Sequence, residues 1–212
     1  AYYQFIDRQI DTEGVVTTRY CSNIHAQGAW NEHEQHMAPA SGIIAAELAQ
    51  FQPRDDVRIG RISYDIFGLI AAGEFSIVTR VIRPGKTIEL LESEMQAQGR
   101  TCIVARAWRM CVDDSSAVAG LEDQVIQQPD ALAQWHGMSR WPGGYIQSIE
   151  ARINEKHRPS KGIDWLNNAK EMVENQPTSD FQTYSPRNLL VNPENKKNTW
   201  EFLKKIMSQV SL

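Results

Sequence analysis

The residues best suited to chemistry in this chain fall between Trp30 and Phe51. Glu47 is the foremost. It lies in an Ala-rich run, Ala38 to Phe51, that reads as one helix of about 12 residues. Taking about 100° per residue and Ile43 as zero, Glu47 lies near 40°, inside the arc holding Phe51, Ile44 and Leu48. A carboxylate on an apolar face is costly unless it is paired or functional. There it could act as general base or nucleophile. The plainer alternative is a salt-bridged carboxylate at the edge of a groove.

His36 precedes the helix by two or three positions, with His25 and His33 nearby. The spacing His33-x-x-His36 is short and brings no third ligand, so neither a metal nor another cofactor is expected. A loop histidine bonded to backbone is the plainer reading of His36. Ser41-Gly42 at the helix start does not form a nucleophile elbow, because no Gly-x-Ser-x-Gly is present and no strand runs into it. There is no phosphate loop or dinucleotide fingerprint. Asp65 could cap a turn or meet Arg83, and Asp180 is a weaker acid candidate.

These residues need a scaffold, and the pattern supplies one. Tyr3, Phe5 and Ile10 read as a strand, Asp11-Thr12-Glu13-Gly14 as a turn, and Val15 to Tyr20 as a second strand. Pro39 fits the first turn of the helix, and Gln52-Pro53 ends it. Four strands follow: Val57 to Phe67, Glu74 to Ile82, Thr87 to Gln98 and Thr101 to Val112. Phe75, Ile77, Thr79 and Val81 alternate with Glu74, Ser76, Val78 and Arg80, and the turn spacing predicts an antiparallel meander. Asp113 to Gln134 reads as a linker. Further strands are expected at Tyr145 to Ile153 and at Ile163 to Leu166. Thr199 to Val210 places Trp200, Leu203, Ile206, Met207 and Val210 on one helical face.

A helix followed by antiparallel strands buries both apolar faces when the sheet wraps around the helix. The fold class expected is α+β, a hotdog. The chain here resembles the thioesterase-like superfamily, of the double-hotdog acyl-CoA thioesterase type. The resemblance rests on Trp30-Asn31, Gln35-His36, Pro39 and the small-residue helix start. It also rests on Arg61 to Gly68, on Arg83 to Leu90, and on Gly99-Arg100 with Ala105-Arg106-Ala107-Trp108. Trp141-Pro142-Gly143-Gly144-Tyr145 through Trp165 resembles the opening of a second, fused hotdog. Two departures stand out. His36-Met37-Ala38 occupies the place of two glycines, and the second unit runs after Asp180-Phe181 into Pro186, Asn188 and Pro193. The expected division is a hotdog domain at 1–118, a linker at 119–139 and a partial second hotdog-like unit at 140–212.

The resemblance implies an acyl-CoA thioesterase-like protein that hydrolyses or binds an acyl thioester. The helix start would polarise the thioester carbonyl and a carboxylate would activate water. Glu47 and His36 are then the catalytic candidates. Ser41 and Gly42 would contact substrate, with Arg83 and Lys86 meeting CoA phosphates. No family match is claimed for Glu47, because the fused family usually keeps its catalytic groups in the second unit. The competing readings are a non-catalytic acyl-binding or structural hotdog subunit, and a hotdog hydratase or dehydratase. The last would need an Asp/His pair at the helix entrance, and His36 has no evident Asp partner.

Composition fits this picture. The chain has 212 residues, 42% hydrophobic and 23% charged, enough for a core without disulfides or metals. Its net charge of −4 and pI near 5.8 give no general reason to bind nucleic acid. Lys196-Lys197 and Lys204-Lys205 read as a solvated face. Cys21, Cys102 and Cys111 have no regular spacing and read as small hydrophobes in a reducing compartment. Neither a secretory signal nor an apolar run of membrane-spanning length is visible, so a soluble, cytoplasmic protein is expected. An exposed sheet edge and acyl groove imply a homo-oligomer formed by sheet pairing.

Overall fold

The computed structural model describes residues 1–120, 128–153 and 164–174. Asp180, the segment from Phe181 onward, the expected helix at 199–210 and both lysine pairs lie outside the described residues. Strands β1 (Tyr3–Ile10) and β2 (Val16–Ser22) form a hairpin, and helix α1 spans Met37–Gln50. Strands β3 (Val57–Ile66), β4 (Glu74–Arg83), β5 (Ile88–Ala97) and β6 (Arg100–Cys111) follow. All four fall where alternation places them.

Their order corrects the expected meander. β4, β5 and β6 are consecutive neighbours, but β3 crosses over to pair with β6 at the sheet's far end. The β1–β2 hairpin joins the same sheet through β2 and β4. Local alternation records which face a residue takes and carries no information on which strand lies alongside. One sheet results, in the order β10-β1-β2-β4-β5-β6-β3, where β10 is Val173–Glu174, parallel to β1. The other strand pairs are antiparallel. This sheet around α1 is the hotdog.

The inner face carries Phe75 and Ile77 of β4, Leu91 and Met95 of β5, and Ile103, Ala105 and Ala107 of β6, all buried. Small side chains at Ser93, Ala105 and Ala107 let α1 approach the sheet. Ile43, Ile44 and Leu48 of the helix are fully buried against it. Burial of the helix forces its polar groups to find partners inside the protein. The Tyr64 hydroxyl donates to the Ser41 carbonyl at 3.0 Å. At the other end Arg109 donates to the carbonyls of Phe51 and Gln52 at 2.8 and 2.9 Å, and its guanidinium is ion-paired to Glu89. Gln52 itself turns the chain out of the helix at φ 40°.

Glu47 is 1% exposed and accepts three bonds. Arg8 of β1 reaches it at 2.5 Å, Thr18 of β2 donates at 3.0 Å, and the Tyr20 hydroxyl donates to the other oxygen. This carboxylate ties α1 to the β1–β2 hairpin.

Beyond the large sheet, β7 (Ala133–Trp135), β8 (Ile149–Ile153) and β9 (Asp164–Asn168) form a small antiparallel sheet. β7 thus lies inside the stretch expected as linker. The strand expected from Tyr145 begins only at Ile149. Residues Gly144–Gln147 instead make a single helical turn, α2, entered through Gly143 at φ 103° and closed by the Ser148 hydroxyl on the Tyr145 carbonyl. Cys102 is buried as expected, whereas Cys111 ends β6 in an exposed position.

Removing the Glu47 charge leaves Arg8, Thr18 and Tyr20 facing a site built for a carboxylate. Glu47→Ala should lower stability by about 3 kcal/mol, read from the urea midpoint. A midpoint equal to wild type would show that this network does not hold the helix.

Candidate functional site

The N-terminal end of α1 concentrates the remaining chemistry. His36 is the N-cap: its Nδ1 accepts from the Ala38 N–H at 3.1 Å, and its own N–H donates to the Ala26 carbonyl at 2.7 Å. The Nδ1 acceptor role assigns the proton of the neutral ring to Nε2. Burial pushes His36 below the ordinary histidine value, against the opposing pull of the Glu34 charge. The ring is therefore neutral near pH 7, with Nε2–H as a donor.

The capping also decides which first-turn amides stay open. Ala38 is bonded to His36, Pro39 has no N–H, and the Ala40 N–H goes to the His36 carbonyl at 3.4 Å. Among the described residues, Met37 keeps the one first-turn N–H without an acceptor. The Ser41 hydroxyl is turned back onto the Ala38 carbonyl at 2.8 Å. Ser41 and Gly42 sit in the next turn, half-buried.

Gln35 is 4% exposed. Its backbone N–H bonds to Ile70 and its Nε2 to the Ala71 carbonyl at 2.8 Å, while its Oε1 has no partner among the described residues. A buried amide oxygen left open is a polar group awaiting a donor. The half-buried Glu34 lies one residue earlier, and its charge acts on His36. Sequence reading used Gln35 only in the family resemblance and named neither as a site residue, since a polar run before a helix looks like loop. The signal was present in the step from that run straight into a buried helix, which forces its last residues inside.

The opening of the second unit covers this end. The Tyr145 ring stacks on His36, centroids 4.4 Å apart. The Tyr145 N–H donates to the Gln27 carbonyl, the Gly144 N–H to the Gln27 Oε1, and the Tyr2 and Ser148 hydroxyls are bonded at 3.0 Å. The glycines are required here. A Cβ on Gly144 would lie 1.7 Å from the Ile24 carbonyl oxygen, and one on Gly143 2.6 Å from that of Gly28. Burial pushes the Tyr145 and Tyr64 hydroxyls up to about 12, so both stay protonated.

The structure does not gather all the expected site residues. Glu47 lies about 16 Å along the helix from His36, at 1.5 Å per residue, with both oxygens engaged. Arg83 and Lys86 lie beyond the C-terminal end of α1. The Arg83 guanidinium bonds to the Ile88 carbonyl and sits over the Trp108 ring, away from Asp65. Arg54 bonds to the Gly85 and Lys86 carbonyls, fixing that turn near the helix end. His33 is exposed, against Glu32. Among the described residues no three His, Cys, Asp or Glu side chains are grouped to hold a metal ion, and no helix is long and apolar enough to cross a membrane.

Residues 26–110 match the model of the acyl-CoA thioesterase N-terminal domain. Over that stretch the chain is similar to the thioesterase-like superfamily. A comparison with curated proteins gave no match. Among solved structures, a Novosphingobium aromaticivorans protein with a thioesterase assignment is similar at 15% identity and a TM-score of 0.57. That match covers 76% of this chain and 64% of the other. The E. coli PaaI protein from the phenylacetic acid degradation operon matches at 14% identity over 52% of this chain and 80% of its own, TM-score 0.43. A Bacillus halodurans protein solved with CoA matches at 13% identity over 51% and 75%, TM-score 0.43.

A histidine held neutral in the folded state binds fewer protons than in the unfolded chain. Its contribution is full above the unfolded value of about 6.5 and is lost as pH falls through and below it. His25 is also lowered, by burial first, so the test compares variants. His36→Asn should keep the cap and flatten part of the acid-side loss, whereas His36→Ala should cost about 1 kcal/mol at pH 8. Urea midpoints between pH 5 and 8 measure both, and identical profiles for all three proteins would remove His36 as the cap.

Proposed function

We propose that this protein binds an acyl thioester, of the acyl-CoA type, at the N-terminal end of α1 and hydrolyses it there. The observation that carries the reading is the conjunction at one helix end of the open Met37 N–H, the neutral His36 Nε2–H and the unpartnered Gln35 Oε1. The match of residues 26–110 to an acyl-CoA thioesterase domain supports the ligand class. Hydrolysis adds water at the carbonyl carbon, breaks the C–S bond and releases a thiol. The negative charge develops on the carbonyl oxygen, where donors at a helix start stabilise it. Met37 and His36 are the donors in this reading, and Gln35 orients the attacking water.

The carboxylate assigned as base is Glu34, since it stands at the same end as His36. Glu47 becomes a positioning residue that seats α1. Arg83 and Lys86 are left out of the site because they lie at the far end of the helix. The free thiols of Cys21, Cys102 and Cys111 support the expected cytoplasmic location. The non-catalytic acyl-binding reading also has an observation in its favour. The best-buried carboxylate on the helix is fully occupied, and the Tyr145 ring is stacked on the donor histidine.

Hydrolysis of a panel of acyl-CoAs by wild type, Glu34→Gln and Glu47→Gln separates these roles. Glu34→Gln should lower kcat by about 100-fold. Glu47→Gln should lower stability while kcat per folded molecule stays near wild type. Loss of activity in folded Glu47→Gln with Glu34→Gln unaffected would reverse the assignment. Saturable binding without turnover for any chain length would establish the acyl-binding reading instead.

A further inference from the structure

Tyr2 and Tyr3 reach the same end of α1 as His36. A run of backbone bonds connects them: the Asn23 N–H donates to the Tyr2 carbonyl at 2.8 Å, the Ala26 N–H to the Asn23 carbonyl at 2.9 Å, and the His36 N–H to the Ala26 carbonyl at 2.7 Å. The rings repeat the connection. Tyr2 packs against Tyr145, centroids 5.8 Å apart, and Tyr145 is the ring stacked on His36. Tyr3 opens β1 and pairs with Ser22 of β2, whose N–H donates to the Gly73 carbonyl at 3.0 Å. Ala71, whose carbonyl Gln35 holds, lies two residues before Gly73. Tyr3 and Gln35 thus belong to one end of the sheet.

Tyr3 is 0% exposed. Its ring takes the inner face, with an edge-to-face contact to Phe75 at 5.2 Å and a tilted contact to Tyr20 at 6.5 Å. Its two neighbours among the buried tyrosines have partners for their hydroxyls: Tyr20 donates to Glu47, and Tyr2 is bonded to Ser148. The Tyr3 hydroxyl has none among the described residues. A buried hydroxyl without a bond costs free energy that phenylalanine, of the same shape, would avoid. Burial first, then the nearby Tyr145 and Tyr2, push this hydroxyl well above the ordinary tyrosine value, so it stays protonated and can donate. The Gln35 Oε1 is the unmatched acceptor at this end of the molecule, and the Tyr3 hydroxyl is an unmatched donor.

A donor of this kind discriminates among ligands. One that brings an oxygen gains the bond, and one that brings only methylenes leaves the hydroxyl as costly as before. The thioester carbonyl already has donors in Met37 and His36, so the oxygen for Tyr3 comes from elsewhere in the ligand. The CoA portion is excluded, because its phosphates would not be buried in an aromatic core without cations. That leaves the acyl chain. The half-buried Tyr145 ring covers this end and turns aside to admit it.

We infer that Tyr3 is a specificity residue, and that the acyl thioester taken at the N-terminal end of α1 carries a keto or hydroxyl oxygen on its acyl chain, which accepts from the Tyr3 hydroxyl. The inference rests on the reading of that end as the acyl-thioester site.

Oxo-, hydroxy- and unsubstituted acyl-CoAs of equal length, presented to the full chain and to its Tyr3→Phe variant, test it. Wild type should prefer the oxygenated chains, in kcat/KM and in Kd from calorimetry, and Tyr3→Phe should lower that preference about tenfold. The urea midpoint of unliganded Tyr3→Phe should equal or exceed that of wild type, because the change removes an unmatched hydroxyl and no bond. A preference seen in Kd without turnover supports the role of Tyr3 and overturns hydrolysis alone. Turnover without a preference for oxygenated chains, or with a preference that Tyr3→Phe keeps, overturns the inference and leaves hydrolysis standing. A lowered midpoint in Tyr3→Phe also overturns it, since the hydroxyl would then have a partner in the free protein. Absence of binding by every acyl-CoA tested overturns both.

Discussion

A carboxylate buried to 1% exposure organises this protein. An unpaired charge in a core costs several kcal/mol, so the position of Glu47 dictates what must surround it. Arg8 supplies the opposite charge, and Thr18 and Tyr20 fill the remaining acceptor sites. All three come from the β1–β2 hairpin, which precedes the helix in sequence. The hairpin and helix are thereby fixed to each other, and β2 in turn carries β4 and the rest of the sheet. The orientation of α1 inside the sheet follows from this contact as much as from its apolar stripe.

The two ends of α1 are handled in opposite ways. The C-terminal end is closed by Arg109, which donates to the carbonyls of Phe51 and Gln52 while paired to Glu89. The N-terminal end is capped by a neutral imidazole, with one amide and one buried amide oxygen unmatched. A helix start favours developing negative charge, and the protein has left that end partly unsatisfied. Unmet polar groups beside a helix start mark where binding free energy is available.

The second unit bears on this end directly. Gly143 and Gly144 allow the backbone of α2 to lie against residues 24 to 29 at distances no Cβ would permit. Tyr145 is thereby stacked on His36, and Ser148 meets Tyr2. β10 extends the sheet by pairing with Tyr3 and Gln4 of β1. Residues beyond the first hotdog thus contribute both to the site and to the integrity of the sheet.

Much of the fold was legible in the sequence, because period-two alternation in Phe75 to Val81 and the Ala-rich run to Phe51 report burial directly. The family was legible for the same reason, since its motifs fall at turns and helix starts, where backbone geometry restricts residue choice. The sequence also placed Glu47 on the buried face. The partners it meets there, Arg8, Thr18 and Tyr20, lie 39, 29 and 27 residues away in sequence. The crossing of β3 to β6, the separation of His36 from Arg83 and Lys86, and the stacking of Tyr145 were likewise settled only in three dimensions. Each is a long-range contact, and local periodicity determines the face a side chain takes while leaving open what it meets there.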